Sequence, residues 1–359
     1  MLAWADNARM PLFADVLRDL RLSDAVGSLL FSCGSGGQIL GSLAGGRLLQ
    51  RHEARGLLGI ALVVVAAGTA LVALAPAFPL LLLGALVYGL GCGVVVTAQN
   101  LIVERETPTG ARRRAFAGLH AMYALASLLA PLAAVALRER SGWRAALLCA
   151  GLPSLGLALL APLSPRVPPR APSSVGGPAG PLGPRLLIGA LVAAYVLAEL
   201  SLSTRLPLLF QRQGAAPEVA AGALSLFFAC LLLGRVTSSL ITLPLANRPL
   251  LLASAGSALV LYLGGLLVEP WLLPLVALPM APFFPTAMAL LAEELPDELP
   301  AALGALMALV SVALVLGQVA LGALTDALGL RAALGLGPAA LGVTLLLLLA
   351  TGRRPARGP

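Results

Sequence analysis

The chain has 359 residues, of which 59% are hydrophobic and only 11% charged, with a mean hydropathy of +0.94. A soluble domain of this length could not cover so much apolar surface with so few charges, so the composition excludes a soluble enzyme and points to a polytopic membrane protein. The formal charge of +8 rests on 24 basic residues, all arginine; it would suggest nucleic acid in a soluble chain, but here it reads as membrane topology, with no nucleic-acid partner expected.

Apolar runs of spanning length fall at 25–49, 55–75, 77–103, 114–138, 142–164, 184–210, 218–243, 248–268, 271–292, 299–325 and 328–350. Each can cross ~30 Å of hydrocarbon at ~1.5 Å per residue. The expected fold is all-α and polytopic, with 11 complete spans. Residues 165–185, rich in Pro and Gly, cannot hold a helix and read as a solvated cytoplasmic linker. The expected organisation is an N-terminal helical bundle over 1–164, that linker, a C-terminal bundle over 186–350 and a cytoplasmic tail over 351–359. Placing the loop 50–56 in the cytoplasm puts most arginines on that side, led by Arg112, Arg113 and Arg114. Arg138, Arg140 and Arg144 run against this bias, crowding an outer loop.

The two bundles are one unit written twice. G-W-R-A-A-L at Gly142–Leu147 returns as G-L-R-A-A-L at Gly329–Leu334. T-A-Q-N-L-I-V-E (Thr97–Glu104) matches T-A-M-A-L-L-A-E (Thr286–Glu293), and F-S-C-x-x-x-G (Phe31–Gly37) matches F-A-C-x-x-x-G (Phe228–Gly234). R-M-P-L (Arg9–Leu12) matches R-L-P-L (Arg205–Leu208). Order and spacing are kept, so these are parallel repeats, which in membrane proteins signal a transporter with its site near the midplane. The same register aligns residues 1–13 with the end of the span at 184–210, so the first helix is expected to be truncated as the sequence is written. An upstream start or a true eleven-span protein would each account for that.

Few residues could carry chemistry. Cys33, Cys92, Cys149 and Cys230 stand singly in apolar runs, without metal or redox spacing, and there are only two histidines. The G-L-G-C-G run at Gly89–Gly93 lies mid-span and reads as close helix packing rather than a dinucleotide loop. No cofactor, metal site or enzymatic constellation is expected, and nothing requires a protein partner, so a monomer is expected.

Polar residues within spans are costly and mark candidate sites. Tyr195, Glu199 and Ser203 share one helix face at four-residue spacing. A carboxyl group there can bind substrate or take up and release a proton near neutral pH, although a structural Glu paired with Arg fits the same pattern. Thr97, Asn100 and Glu104 form a second stripe, where Asn100 can both donate and accept, as ligand contact or as interhelical glue. His120, Tyr123 and Ser127 share a third face. Arg235, inside its span, reads as a structural or gating residue, with Gln38 in the matching place of the first half.

These features resemble the major facilitator superfamily, and within it the fucose-permease-like and sugar-permease-like inner-membrane transporters. The resemblance is carried by T-A-Q-N at 97–100, L-H-A-M-Y-A-L at 119–125, Y-V-L-A-E at 195–199, F-F-A-C-x-x-x-G-R at 227–235 and F-P-T at 284–286. It implies alternating access about a midplane site, with helices one, four, seven and ten lining the path near Asp6, Asn100, Glu199 and Thr286. Two departures qualify it. The superfamily's G-x-x-x-D-R-x-G-R reads here as G-R-L-L-Q-R-H-E-A-R (Gly46–Arg55), with Gln50 for the acidic member, Glu53 for the second Gly and Arg51 retained as a gating or structural residue. Val96 stands where fucose-permease-type symporters carry an acid, so any proton coupling falls to Glu199 or Asp6.

The resulting expectation is a secondary transporter of a sugar or small metabolite in the inner membrane, with protons as the candidate coupling ion. Efflux of lipophilic compounds on the same fold, and a degenerate non-transporting membrane protein, remain alternatives.

Overall fold

The computed structural model describes residues 2–108, 112–169, 182–240, 245–294 and 299–351; among them the chain is helical and no strand occurs. Helices α1 (Leu2–Asp19), α2 (Asp24–Leu48), α3 (Ala54–Leu74), α4 (Phe78–Glu106) and α5 (Arg112–Leu160) come first, followed by a 3-10 turn at Ala161–Leu163. Then come α6 (Leu182–Arg212), α7 (Pro217–Leu240), α8 (Asn247–Leu267), α9 (Leu272–Leu275), α10 (Ala277–Met280), α11 (Phe283–Glu294), α12 (Leu299–Leu328), α13 (Leu330–Ala333) and α14 (Leu336–Thr351). The chain forms two compact units, Met1–Ser174 with Phe210–Ser225, and Val175–Leu209 with Leu226–Pro359.

Nine helices among the described residues are long and apolar enough to cross a membrane. Two differences separate that from the eleven expected runs. Met122–Leu163 is a single stretch carrying two of the runs, broken at Gly142. Helix α2 has the length, but Gly34, Gly36, Gly37, Gly41, Gly45 and Gly46 with their serine neighbours dilute its apolar character, and it is not among the nine.

The repeated G-[WL]-R has a shared structural cause. Gly142 sits at φ 80°, ψ 166° and Gly329 at φ 84°, ψ 157°, a backbone that a Cβ disfavours. Each glycine turns the chain so that the arginine two residues on reaches the end of a neighbouring helix. In the first unit Arg144 Nη1 donates to the carbonyls of Ala73 (3.0 Å) and Ala75 (2.8 Å) at the end of α3. In the second, Arg331 Nε donates to the carbonyl of Leu266 (2.6 Å) in the last turn of α8. A helix C-terminus leaves carbonyls without partners and carries partial negative charge, so a guanidinium there satisfies both needs.

Helices α2 and α4 meet backbone to backbone. A Cβ on Gly89 would lie 2.0 Å from the Gly34 carbonyl oxygen, and one on Gly93 2.2 Å from that of Gln38. From the other side, a Cβ on Gly41 would lie 2.1 Å from the Leu90 carbonyl oxygen. The G-L-G-C-G run is thus a packing surface, as the absence of a strand-turn-helix context implied. Gly234, the counterpart of Gly37, also sits in a close approach in the second unit, where a Cβ would lie 2.7 Å from the Leu278 carbonyl oxygen.

Two of the three arginines of the crowded loop, Arg138 and Arg144, are bound rather than merely solvated. Arg138 holds buried Asp15 of α1 through two bonds, Nε to Oδ2 at 2.5 Å and Nη2 to Oδ1 at 2.8 Å, and Arg18 joins the same carboxylate. Arg144 reaches Asp19 at 3.2 Å. Their position follows the acids of α1.

The linker also departs from expectation at its edges. Its first residues are docked: Val167 is fully buried against Leu49, Ala54, Leu57 and Leu101, and its carbonyl accepts from Ala54 N at 3.1 Å. An apolar side chain within reach of the helix ends is buried regardless of its Pro-rich surroundings. Its last residues, from Leu182, already belong to α6, while 170–181 lie outside the described residues.

The span at 271–292 is one crossing in three pieces, because Pro274, Pro279, Pro282 and Pro285 each remove an N–H from the ladder. Side-chain hydroxyls serve the carbonyls of this segment: Tyr195 donates to Met280 (2.6 Å), Ser254 to Pro279 (2.6 Å) and Thr286 to Pro282 (2.6 Å).

Candidate functional site

The polar residues singled out from the sequence separate into three places. In the first unit, Asp6 and Arg9 of α1 face Tyr88 of α4. The Tyr88 hydroxyl donates to Asp6 Oδ1 at 2.8 Å, Arg9 Nη2 contacts the same oxygen, and Arg9 Cζ lies 4.3 Å from the centre of the Tyr88 ring. Asp6 keeps 31% of its side-chain exposure and Arg9 11%. Behind them, buried Asn7 donates to Ser127 Oγ (3.1 Å), which in turn donates to the Tyr123 carbonyl (2.9 Å).

The Thr97–Asn100–Glu104 stripe faces a cavity of about 250 Å³ also lined by Gly46, Leu49, Val96 and Leu101. About 18 Å of α4, at ~1.5 Å per residue, separate Tyr88 from Asn100, so Asp6 and Asn100 do not share one subsite. The Thr97 hydroxyl is committed to the Gly93 carbonyl at 2.8 Å, whereas Asn100 is exposed to the cavity. Asn100 and Glu104 therefore supply its polar groups, an amide that both donates and accepts beside a carboxylate.

In the second unit Glu199 of α6 is half-buried, one turn from Tyr195 on the same helix face and within electrostatic reach of Arg235. Tyr195 is buried, stacks on Phe283 at 3.9 Å between ring centres, and donates to the Met280 carbonyl. Ser203 donates to the Leu200 carbonyl of its own helix at 3.4 Å, and Thr286 is buried. The stripe is real as a helix face, yet two of its three members serve the protein backbone.

Among the other candidates, Gln38 and Tyr123 are exposed, and Arg51 lies exposed in the turn after α2. The His120 side chain lies outside the described residues. Glu53, just before α3, forms an ion pair with Arg55 in the first turn of that helix at 3.4 Å. Among the described residues no group of three or more His, Cys, Asp or Glu could hold a metal ion.

The sequence reading passed over Arg9 and Tyr88. Arg9 entered only as part of the repeated R-x-P-L, although its place three residues after Asp6 puts both on one helix face. Its counterpart Arg205 is wholly buried and engaged within the protein.

The Major Facilitator Superfamily profile matches residues 1–299. A niacin transporter from Acinetobacter baylyi is 27% identical over 144 residues, which span 40% of this chain and 33% of that relative. A bacterial homolog to the human lysosomal transporter Spinster, in an inward-facing and occupied conformation, superposes with a TM-score of 0.80 at 16% identity, covering 99% of this chain and 96% of that one. A D-xylose-proton symporter gives a TM-score of 0.72 at 17% identity over 98% and 94% of the two chains.

Proposed function

The chain belongs to the Major Facilitator Superfamily, a family of membrane transporters rather than enzymes, and we propose that it is a secondary active transporter carrying a small polar solute by alternating access. The solute would be a sugar or small metabolite, the membrane a cytoplasmic (inner) one, and the driving ion the proton. The bundles over 1–164 and 186–350 would supply the two moving parts.

One observation carries the reading: ionisable side chains lie inside apolar helices without being fully absorbed by the protein. Asp6, the most exposed member of its cluster, is a carboxyl group in contact with Arg9, and Glu199 is a half-buried carboxyl group within electrostatic reach of Arg235. The cavity bearing Asn100 offers a place to hold a hydroxyl or amide of the cargo. The niacin transporter relative and the xylose symporter both handle small polar solutes by name, which supports this class over lipophilic efflux.

Uptake by purified protein in proteoliposomes tests the proposal, using nicotinate, xylose and a cationic dye under an imposed pH gradient. Accumulation of a polar solute that the gradient drives is expected, with Asn100→Ala weakening apparent affinity about tenfold, the ~1–1.5 kcal/mol of one or two hydrogen bonds. Expulsion of the dye with no polar uptake would replace the reading with efflux. No gradient-dependent movement of any of the three by folded protein would end it.

A further inference from the structure

The first unit contains several arginines, and Arg138 and Arg144 have their donors well used. Arg138 spends two nitrogens on Asp15, and Arg144 makes three bonds to two carbonyls and a carboxylate. Arg9 differs. Its Nη2 meets Asp6, but Nε and Nη1 are shielded from solvent and have no acceptor among the described residues. A buried N–H without an acceptor costs about 1–3 kcal/mol, more when charged, so a structural arginine would be expected to satisfy these groups. Nη1 lies close to the backbone of α2 at Gly34: a Cβ built there would lie 3.8 Å from Nη1 and 3.8 Å from the Ala85 carbonyl oxygen.

We propose that Arg9 is the receptor for a carboxylate on the transported solute, and that the solute binds together with one proton that neutralises Asp6. The planar guanidinium carries five N–H groups in a fork that fits a carboxylate with two parallel bonds. With Asp6 ionised, the fork is half used and the pair is neutral. Adding an anion then leaves one uncompensated negative charge in a low-dielectric bundle, which is costly. A proton on Asp6 restores neutrality and releases Nη2 to the incoming carboxylate. The other titratable groups facing the pair are Tyr88 and Cys92 of α4. The Tyr88 hydroxyl stays a donor throughout and can turn from Asp6 to the bound anion, while its ring holds the guanidinium from the side. One available positive charge suits a monocarboxylate better than a phosphate dianion.

This rests on the transporter reading and names a second subsite, about 18 Å along α4 from the cavity at Asn100, but binding can be measured without transport. The probes are two isosteric pairs, nicotinate with nicotinamide and benzoate with benzamide, added to full-length protein in detergent. Wild type should bind the carboxylates at least about tenfold more tightly than the amides near pH 6. That affinity should fall toward pH 8, by up to about tenfold per pH unit for one linked proton. Arg9→Gln should erase the preference for carboxylates; if it fails to fold, Arg9→Lys should keep a weakened preference. Asp6→Asn should keep the preference and flatten its pH dependence. Equal binding of acids and amides, no carboxylate binding by wild type, a preference that survives Arg9→Gln, or an Asp6→Asn slope equal to wild type would each overturn the proposal. Uptake separates the two readings. Selective binding without uptake removes the transporter reading alone, whereas pH-driven uptake of a neutral solute, unaffected by Arg9→Gln, removes the anion proposal alone.

Discussion

Replacing Arg144 with glutamine tests whether the repeated G-[WL]-R is a helix-end device. Arg144 Nη1 makes two bonds to carbonyls at the end of α3, at 3.0 and 2.8 Å. Bonds to a charged donor contribute about 1.5–3 kcal/mol, but these two share one nitrogen and do not add fully. The contact with Asp19 at 3.2 Å joins side chains 36% and 49% exposed and adds about 0–1 kcal/mol. Packing of the guanidinium over Trp143, 4.4 Å from its centre, adds about 0.5–1 kcal/mol. The expected loss is ~2–4 kcal/mol for Arg144→Gln and, with a single bond to Leu266, ~1.5–3 kcal/mol for Arg331→Gln. The two lie in different compact units, so the double variant should equal their sum within about 0.5 kcal/mol. Denaturant unfolding of the purified protein in detergent reads these values. The decisive control is Asp19→Asn: if it costs as much as Arg144→Gln, the ion pair and not the cap holds the arginine, and the shared role of the repeat is refuted.

Gly93→Ala should destabilise by ~1–3 kcal/mol or prevent folding, because its methyl would lie 2.2 Å from a backbone oxygen; Gly56→Ala, with nothing within 4 Å, should be neutral or slightly stabilising by thermal midpoint. Asp15→Asn should cost ~3–5 kcal/mol by breaking the paired hydrogen bonds it accepts from Arg138, while Arg140→Gln on the exposed neighbour should stay within about 0.5 kcal/mol in the same unfolding measurement. Tyr195→Phe should lose about 1 kcal/mol with the Met280 hydrogen bond and keep solute affinity; reduced affinity at unchanged stability would instead place the hydroxyl on the solute path.

What the sequence made legible was local or periodic. Gly142 and Gly329 announce themselves because only glycine accepts their backbone, and the arginine two residues later repeats its partner type. Close packing of α4 could be read from Gly89 and Gly93 because it needs small residues at helical spacing, though its partner α2 could not. Pairings across long stretches were not legible. Arg138 looked like a breach of the charge bias until Asp15, 123 residues earlier, appeared beside it. Tyr88 lies 82 residues from Asp6, so nothing in the sequence joined α1 to α4 at that point. Composition misjudged Val167, since a Pro-rich stretch can still lend one side chain to a neighbouring core. The stripe at Tyr195, Glu199 and Ser203 was correctly placed on one face, but spacing alone could not say that Tyr195 was already spent on a proline-broken helix.

The glycine seam between α2 and α4 has a mechanical consequence. Where two backbones touch with no side chains between them, no rotamer change can widen or narrow the gap. Sliding by even part of a turn would drive Cα atoms into carbonyl oxygens. The seam therefore resists sliding of the two helices past each other, over a stretch of α4 that leads from Tyr88 toward Asn100, about three turns further along.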